Sequence, residues 1–393
     1  MEKYDVVIIG AGAAGLMCAI EAGKRGRRVL VLDHANKPGK KILMSGGGRC
    51  NFTNLHISYD KYISHNPHFC KSALSRYTQW DFIDLVKHHK IPFHEKTLGQ
   101  LFCDHKSKDI LDMLLSECHQ ANAAIFLNTT IHSIENPHEN HFKLFTTRGD
   151  FHCESLVIAC GGLSIPTMGA SPFGYKIAEQ FGLKIWPTRA GLVPFTLQPT
   201  DKEKLSLLSG ISIASDVSYE KNSFRENILF THRGLSGPAI LQISSYWEYG
   251  KSVEIDLLPG LNSFERLLEH QKNDPNKLLK TILGEWFPKR MIEIFFADHL
   301  LNTKLASIAY HEFKNISNMI QNWSVKPNGT EGYRTAEVTL GGVDCHELSS
   351  KTMEVTAVKG LYFIGEVIDM TGWLGGYNFQ WAWSSGWAAG QVV

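Results

Sequence analysis

The sequence predicts an α/β fold in which a parallel sheet wound with helices is interrupted by a β-rich insert domain that itself carries a helical insert. Three observations predict it. A β-branched run opens the chain and passes at once into a glycine-rich turn and a helical pattern. A second strand, glycine and helix pattern occupies the far C-terminus. Between them, from Arg189 onward, the apolar period shortens to that of strands and then lengthens to that of helices.

Tyr4-Asp5-Val6-Val7-Ile8-Ile9 reads as a strand buried on both faces, and Gly10-Ala11-Gly12-Ala13-Ala14-Gly15 follows it directly. Leu16, Met17, Ala19 and Ile20 continue at helical spacing, Gly23 and Gly26 close the helix, and Arg28 to Asp33 makes a second strand. This is a complete βαβ unit with G-x-G-x-x-G in its proper place. Gly10 permits the tight turn, Gly12 lets a pyrophosphate approach the backbone, and Gly15 brings helix close to strand. The phosphates of a dinucleotide would lie on the helix N-terminus, where free N–H groups and the dipole favour anions. Asp33 ends the second strand, where a carboxylate accepts hydrogen bonds from unphosphorylated ribose.

The fingerprint leaves NAD and FAD open, and Pro38 to Asn54, KPGKKILMSGGGRCNFTN with Lys37, bears on the choice. After Ser45, Gly46, Gly47 and Gly48 expose consecutive N–H groups to a flat or anionic ligand, while Arg49 adds charge and Asn51 hydrogen bonds. Such a loop suits a flavin and its diphosphate. Gly360 to Glu366 reads as a buried strand ending in Gly365-Glu366. Gly375-Gly376-Tyr377-Asn378-Phe379 then leads into an apolar helix from Trp381 to Ala389, so both ends of the chain build one domain. Glu366 and Asp369 read equally well as solvated strand-end carboxylates.

These blocks resemble the BaiN-like (aminoacetone oxidase-like) FAD-dependent oxidoreductases of the two-dinucleotide-binding-domain flavoproteins. The resemblance spans nearly the whole chain and is carried by GAGAAG at 10–15, the 37–54 block, THRGLSGPAILQIS at 231–244, AEVTLGGVD at 336–344, and the segment 360–390. It implies an α/β fold with a Rossmann-like FAD-binding domain of the GR2 type and a β-barrel-like insert domain that itself carries a helical insert. It also implies FAD held by Gly10, Gly12, Ala13, Ala14, Gly15, Asp33, Lys41 and the loop Ser45, Gly46, Gly47, Gly48, Arg49, Cys50 and Asn51. Gly365, Glu366, Gly376, Tyr377, Asn378 and Phe379 close on the isoalloxazine side. Family members often carry Glu where Asp33 stands, and either acid bonds ribose. Where they usually read T-G-G-x-S-x-P, this chain reads Cys160-Gly161-Gly162-Leu163-Ser164-Ile165-Pro166, in which Cys160 lacks the hydroxyl, and Gly161 joins the cofactor set.

The layout expected is an FAD domain at 1–188 and 340–393, a β-rich insert at 189–260 and 323–339, and a helical subdomain at 261–322. Leu74, Tyr77, Phe82, Leu85 and Val86 predict one amphipathic helix, and Ile110, Leu111, Leu114 and Leu115 another.

The chain has 393 residues, with 40 Lys and Arg against 39 Asp and Glu and a net charge of +1. No global field then marks a nucleic acid or membrane partner, and none is expected. Eight scattered cysteines without a C-x-x-C pair suit a reducing compartment, and a cytoplasmic location is expected. Neither H-E-x-x-H nor G-x-S-x-G appears, so metal and serine-nucleophile catalysis gain no support. Cys50 beside Arg49 reads as a lowered-pKa thiol able to meet the flavin, or as a small residue packed at the cofactor. Arg49 reads as an orienter of an acidic substrate or a phosphate ligand.

The function expected is an FAD-dependent oxidoreductase passing a hydride between NAD(P)H or an organic substrate and a small organic acceptor or oxygen. With one Rossmann fingerprint, NAD(P)H would visit the flavin face transiently. A non-catalytic FAD-binding redox sensor is the first alternative, and a flavoprotein acting on RNA the second.

Overall fold

A computed structural model describes residues 2–393. The chain forms two compact units, one running to Ala190 and resuming with Glu337–Val393, the other Gly191–Ala336.

The first unit is built on a five-stranded parallel sheet, ordered Leu361–Phe363, Ser155–Ile158, Val6–Ile9, Val29–Leu32, Ala124–Phe126. Numbered along the chain this is 5-4-1-2-3, the Rossmann order, with the crossover between strands one and four. Val6–Ile9, Val29–Leu32 and Ser155–Ile158 are buried throughout, as the uninterrupted apolar runs require of strands covered on both faces. Registers pair Val6 with Val29 and Ser155 with Val6, aligning the carboxyl ends at Ile9, Leu32 and Ile158. The glycine turn leaves the sheet at that edge.

Helix Ala13–Lys24 packs against the C-terminal helix Tyr377–Gly390 at backbone distance. A Cβ on Gly386 would lie 2.4 Å from the Ala14 carbonyl oxygen, and one on Gly390 would lie 2.6 Å from Glu21 Cβ. Two glycines four residues apart on one helix face thus admit the other helix. The helix expected around Leu74 to Val86 is two, Lys71–Arg76 and Gln79–His88. Thr78 breaks it by capping the second helix: Thr78 N–H donates to Asp81 Oδ2 at 2.7 Å. A three-stranded antiparallel sheet, Asn51–Asn54, Gln100–Cys103 and Phe93–Glu95 in that order, stands apart from the parallel sheet.

The second unit carries a seven-stranded sheet whose end strands are Trp323–Val325 and Pro327–Thr330. Only Lys326 separates them, so the covalent chain brings the two edges together and the sheet curls into a barrel-like form. Helices Ser263–Asn273, Leu279–Trp286, Lys289–Phe295 and Tyr310–Gln321 lie in the segment between its strands.

Candidate functional site

The functional features of the first unit gather at the carboxyl edge of its parallel sheet, where doubly wound folds bind ligands. Gly10 has φ +115°, and a Cβ there would lie 2.5 Å from the Ala159 carbonyl oxygen. A Cβ on Gly15 would lie 2.0 Å from the Gly10 carbonyl oxygen. Both glycines are demanded by protein packing. Gly12, the residue before the helix Ala13–Lys24, differs: nothing lies within 4 Å of a Cβ placed on it. Open space therefore stands over the start of the helix, where its unpaired N–H groups gather. Asp33 spans the turn, its Oδ2 accepting from Ala11 N–H and its Oδ1 from Ala35 N–H, both at 2.8 Å. Each oxygen keeps a further lone pair for a hydroxyl donor.

Lys41 and Glu366, 325 positions apart, form an ion pair of 2.6 Å. Lys41 Nζ also donates to Ser164 Oγ at 2.7 Å. Glu366 Oε1 accepts from Thr339 N–H at 2.9 Å and from Ser164 Oγ at 3.0 Å, and Thr339 Oγ1 accepts from Leu163 N–H at 2.8 Å. Glu366 is thus a fully engaged anchor rather than a solvated strand end. Gly161 adjoins it, with a notional Cβ 3.8 Å from Glu366 Oε2, and Gly365 adjoins Ala14 at 3.0 Å. Ser164 and Thr339 lie within blocks that carry the family resemblance, but their partnership with Lys41 and Glu366 shows only in three dimensions.

The second cradle is the loop Ser45–Gly48 with the turn before the C-terminal helix. Gly46, Gly47 and Gly48 all have positive φ, and no atom lies within 4 Å of a Cβ on Gly47 or Gly48. Gly46 packs on Phe102. A Cβ on Gly376 would lie 2.3 Å from the Thr53 carbonyl oxygen, and the Asn51 amide oxygen faces Gly376 N–H at 3.2 Å. Asn54 Nδ2 donates to the Gly375 carbonyl at 2.9 Å. The two glycine-rich segments are therefore stitched into one structure. Tyr377 is buried and its carbonyl accepts from Tyr62 Oη at 2.9 Å, Asn378 closes on Gly372, and Phe379 stacks on Trp383. A cavity of about 390 Å³ opens beside Lys40, Leu43, Met44 and Met168. Another, of about 440 Å³, lies among Arg25, Arg27, Glu154 and Lys359, at the amino ends of the strands and away from the glycines.

Cys50 is fully buried, and burial pushes its thiol up to about 12. Of the two readings of Cys50, burial that outweighs a lowering hydrogen bond from Ser45 favours the small packed residue. Arg49 is exposed and makes no side-chain hydrogen bond or ion pair among the described residues. Asp369, 3% exposed, has a definite role that its sequence position left open. Its Oδ2 lies 2.8 Å from His65 N and 2.9 Å from His65 Nδ1, and the imidazole stacks on Trp186 with ring centroids 3.6 Å apart. All eight cysteines are free, and no helix is long and apolar enough to cross a membrane among the described residues.

Residues 4–392 match the family described as HI0933-like protein Rossmann domain. The chain is similar to the ribosomal RNA dihydrouridine synthase of Escherichia coli (strain K12), 57% identical over 100% of this chain and 98% of that one. It is similar to the protein of the same name from Haemophilus influenzae, 53% identical over 99% and 98%. A more distant relative, 25% identical over 98% of both chains, is the 3-dehydro-bile acid delta(4,6)-reductase of Clostridium scindens. Among solved structures, 3-ketosteroid-delta4-(5alpha)-dehydrogenase from Rhodococcus jostii RHA1 is similar at TM-score 0.50, with 13% identity, covering 99% of this chain and 97% of that one. The fold is accordingly mixed α/β with a Rossmann-type FAD-binding domain.

These relatives correct one expectation. No nucleic acid partner was expected, on the ground of the net charge, whereas the two relatives above half identity are named for ribosomal RNA. The physical reason is that a net charge is an average over the whole chain and says nothing of how charge is distributed.

Proposed function

The chain belongs to the HI0933-like Rossmann family, and from that premise we propose that it is an FAD-dependent reductase of uridine in ribosomal RNA, forming dihydrouridine with NAD(P)H as donor. The observation that carries this reading is the 57% identity, over the full chain, to a protein named for that reaction.

The residues present fit FAD. The open space over Gly12, Gly47 and Gly48 is what a bound diphosphate and flat ring need, and a side chain at any of these positions would enter it. Gly12, Ala13, Ala14 and Gly15 would hold the pyrophosphate, and Asp33 the ribose. Ser45 to Asn51 and Gly376 to Phe379 would frame the ring, with Gly161, Gly365, Lys41 and Glu366 along the middle. When bound, FAD supplies two-electron transfer between a nicotinamide and a conjugated carbon–carbon double bond.

Uridine reduction and the Clostridium relative's named reaction share one chemistry, the saturation of a C=C bond conjugated to a carbonyl. In uridine a hydride adds at C6 and a proton at C5, balanced by one NAD(P)H and one proton. The protein's part is to position the base and hold charge. Lys41 and Glu366 pair beside Ser164 and Thr339, and Gly365, the residue before Glu366, adjoins Ala14 of the first glycine helix, so the pair would position the strand end against the cofactor.

The test uses FAD-loaded protein under anaerobic conditions with NADH or NADPH and ribosomal RNA from cells lacking the modification. Gain of two hydrogens in a single uridine, read by mass spectrometry of nucleosides, is the expected result. Reduction of the flavin and of a steroid enone without any change in RNA would overturn the RNA reading in favour of a small-molecule reductase.

A further inference from the structure

Resting on the RNA reading above, we propose that residues 37–108 form the RNA-docking face, a basic strip that takes a single-stranded segment of ribosomal RNA along the rim of the glycine cradles. The strip carries 12 Lys and Arg against 5 Asp and Glu, a net of +7, while the other residues carry 28 against 34, a net of −6. The near-neutral whole is the sum of two opposed regions. Within Gly191–Ala336 the two signs balance at 16 each, so the excess is a property of this strip and not of the second unit.

The pairing inside the strip sharpens the asymmetry. Each of its carboxylates is engaged locally: Asp60 by Ser58 and Lys61, Asp81 by Thr78, Asp84 by Lys87, Glu95 by Gly99 N–H, and Asp104 by His94. In contrast Lys40, Arg49, Lys71, Lys96 and Lys106 have no carboxylate within 4.0 Å. Cations without counter-charges raise the local potential, and a polyanion that binds them releases its own condensed counterions.

The strip is continuous with the candidate site. The hairpin Phe93–Glu95 and Gln100–Cys103 supports both glycine segments: Phe102 packs on Gly46, and Gln100 lies 2.9 Å from the position of a Cβ on Gly375. Ser107 N–H donates to the Gly48 carbonyl at 2.7 Å, and Cys103 N–H to the Arg49 carbonyl at 2.9 Å. Lys96 Nζ stands 5.3 Å from the ring centroid of Phe102, the residue that packs on Gly46, and Lys106 directly precedes Ser107, which bonds the Gly48 carbonyl. Rings lie among the cations. Lys71 Nζ stands 3.9 Å from the ring centroid of Tyr59, which is 44% exposed, and Lys61 Nζ stands 4.0 Å from that of Trp373. Cations with aromatic rings beside them suit a strand whose bases are unstacked, as the target uridine must be before it can meet a flavin.

The experiment compares FAD-loaded wild type with Lys96→Glu/Lys106→Glu and with a charge-matched control in the second unit, Lys272→Glu/Lys314→Glu. The probes are a protein-free ribosomal RNA fragment and a poly(U) oligonucleotide. At 0.1 M salt the strip variant is expected to bind at least tenfold more weakly, with the slope of log Kd against log salt flattened by about 1.4 for two lost phosphate contacts. The control is expected to stay within twofold. Flavin content and melting temperature verify that the strip variant is folded, and Lys96→Gln/Lys106→Gln takes its place if it is not. Equal behaviour of strip and control variants, with wild type binding and reducing RNA, overturns the strip and leaves the dihydrouridine reading standing. Preference for duplex over single strand also overturns it. Failure of the wild type to bind either probe overturns both.

Discussion

In the N-terminal turn, Gly10 and Gly15 are fenced by backbone at 2.5 and 2.0 Å from where a Cβ would sit, and only Gly12 faces open space. In the loop Ser45–Gly48 the proportion is reversed: Gly46 meets Phe102, while Gly47 and Gly48 face nothing within 4 Å. The first turn spends its glycines on bringing helix to strand. The second spends them on exposed left-handed backbone. A glycine-rich motif thus combines two demands, and only the surrounding packing separates the glycine needed for folding from the one that leaves room for a ligand.

Substitution separates them, and the largest effect is expected at Gly15. Gly15→Val drives a side chain into the Gly10 carbonyl and should destabilise the first unit by at least about 3 kcal/mol, read by thermal denaturation of the flavin-free protein. Gly12→Ala should leave that melting curve within about 0.5 kcal/mol of wild type yet weaken FAD binding at least tenfold, about 1.4 kcal/mol, by titration of the apoprotein. Equal losses of stability at both positions would abolish the distinction drawn between them.

The ion pair beside these turns ranks next. Lys41→Met leaves the Glu366 carboxylate without its cation and should cost about 2 kcal/mol, whereas Glu366→Gln keeps neutral hydrogen-bonding capacity toward Ser164 and Thr339 and should cost less. Reversal of that order in urea denaturation would show that the pair does not anchor the Gly365 turn.

Alkali probes the buried thiols. Burial pushes Cys50, Cys70 and Cys118 up to about 12 from the ordinary 9. Their folded-state values are raised, so the stability they favour is complete below pH 9 and is lost progressively as pH rises toward 12. A flat stability profile between pH 9 and 11 would contradict their burial. The smallest effect is expected at Cys50 itself: Cys50→Ser should leave turnover within twofold, measured at equal flavin content. A large loss there would return the thiol to the chemistry.

Legibility varied in the same way. The N-terminal βαβ unit could be read directly because each glycine, strand and carboxylate in it acts over short sequence distances. The break between Lys71–Arg76 and Gln79–His88 was missed because apolar spacing alone does not register a cap at Thr78. Glu366 was left undecided because its partners Lys41, Ser164 and Thr339 are scattered over the chain. The expectation of no nucleic acid, overturned by the relatives named for ribosomal RNA, rested on a whole-chain sum that carries no information on how charge is distributed.

Local chemistry in the chain was enough to establish the parallel-sheet fold class and the glycine-rich turns, since backbone conformation and apolar period are written into neighbouring residues. Tertiary structure alone decided that Cys50 is fully buried, that Asp369 holds His65, and that Asn51 meets Gly376. Burial and pairing depend on residues hundreds of positions apart, and no local pattern records which of them the fold will bring together.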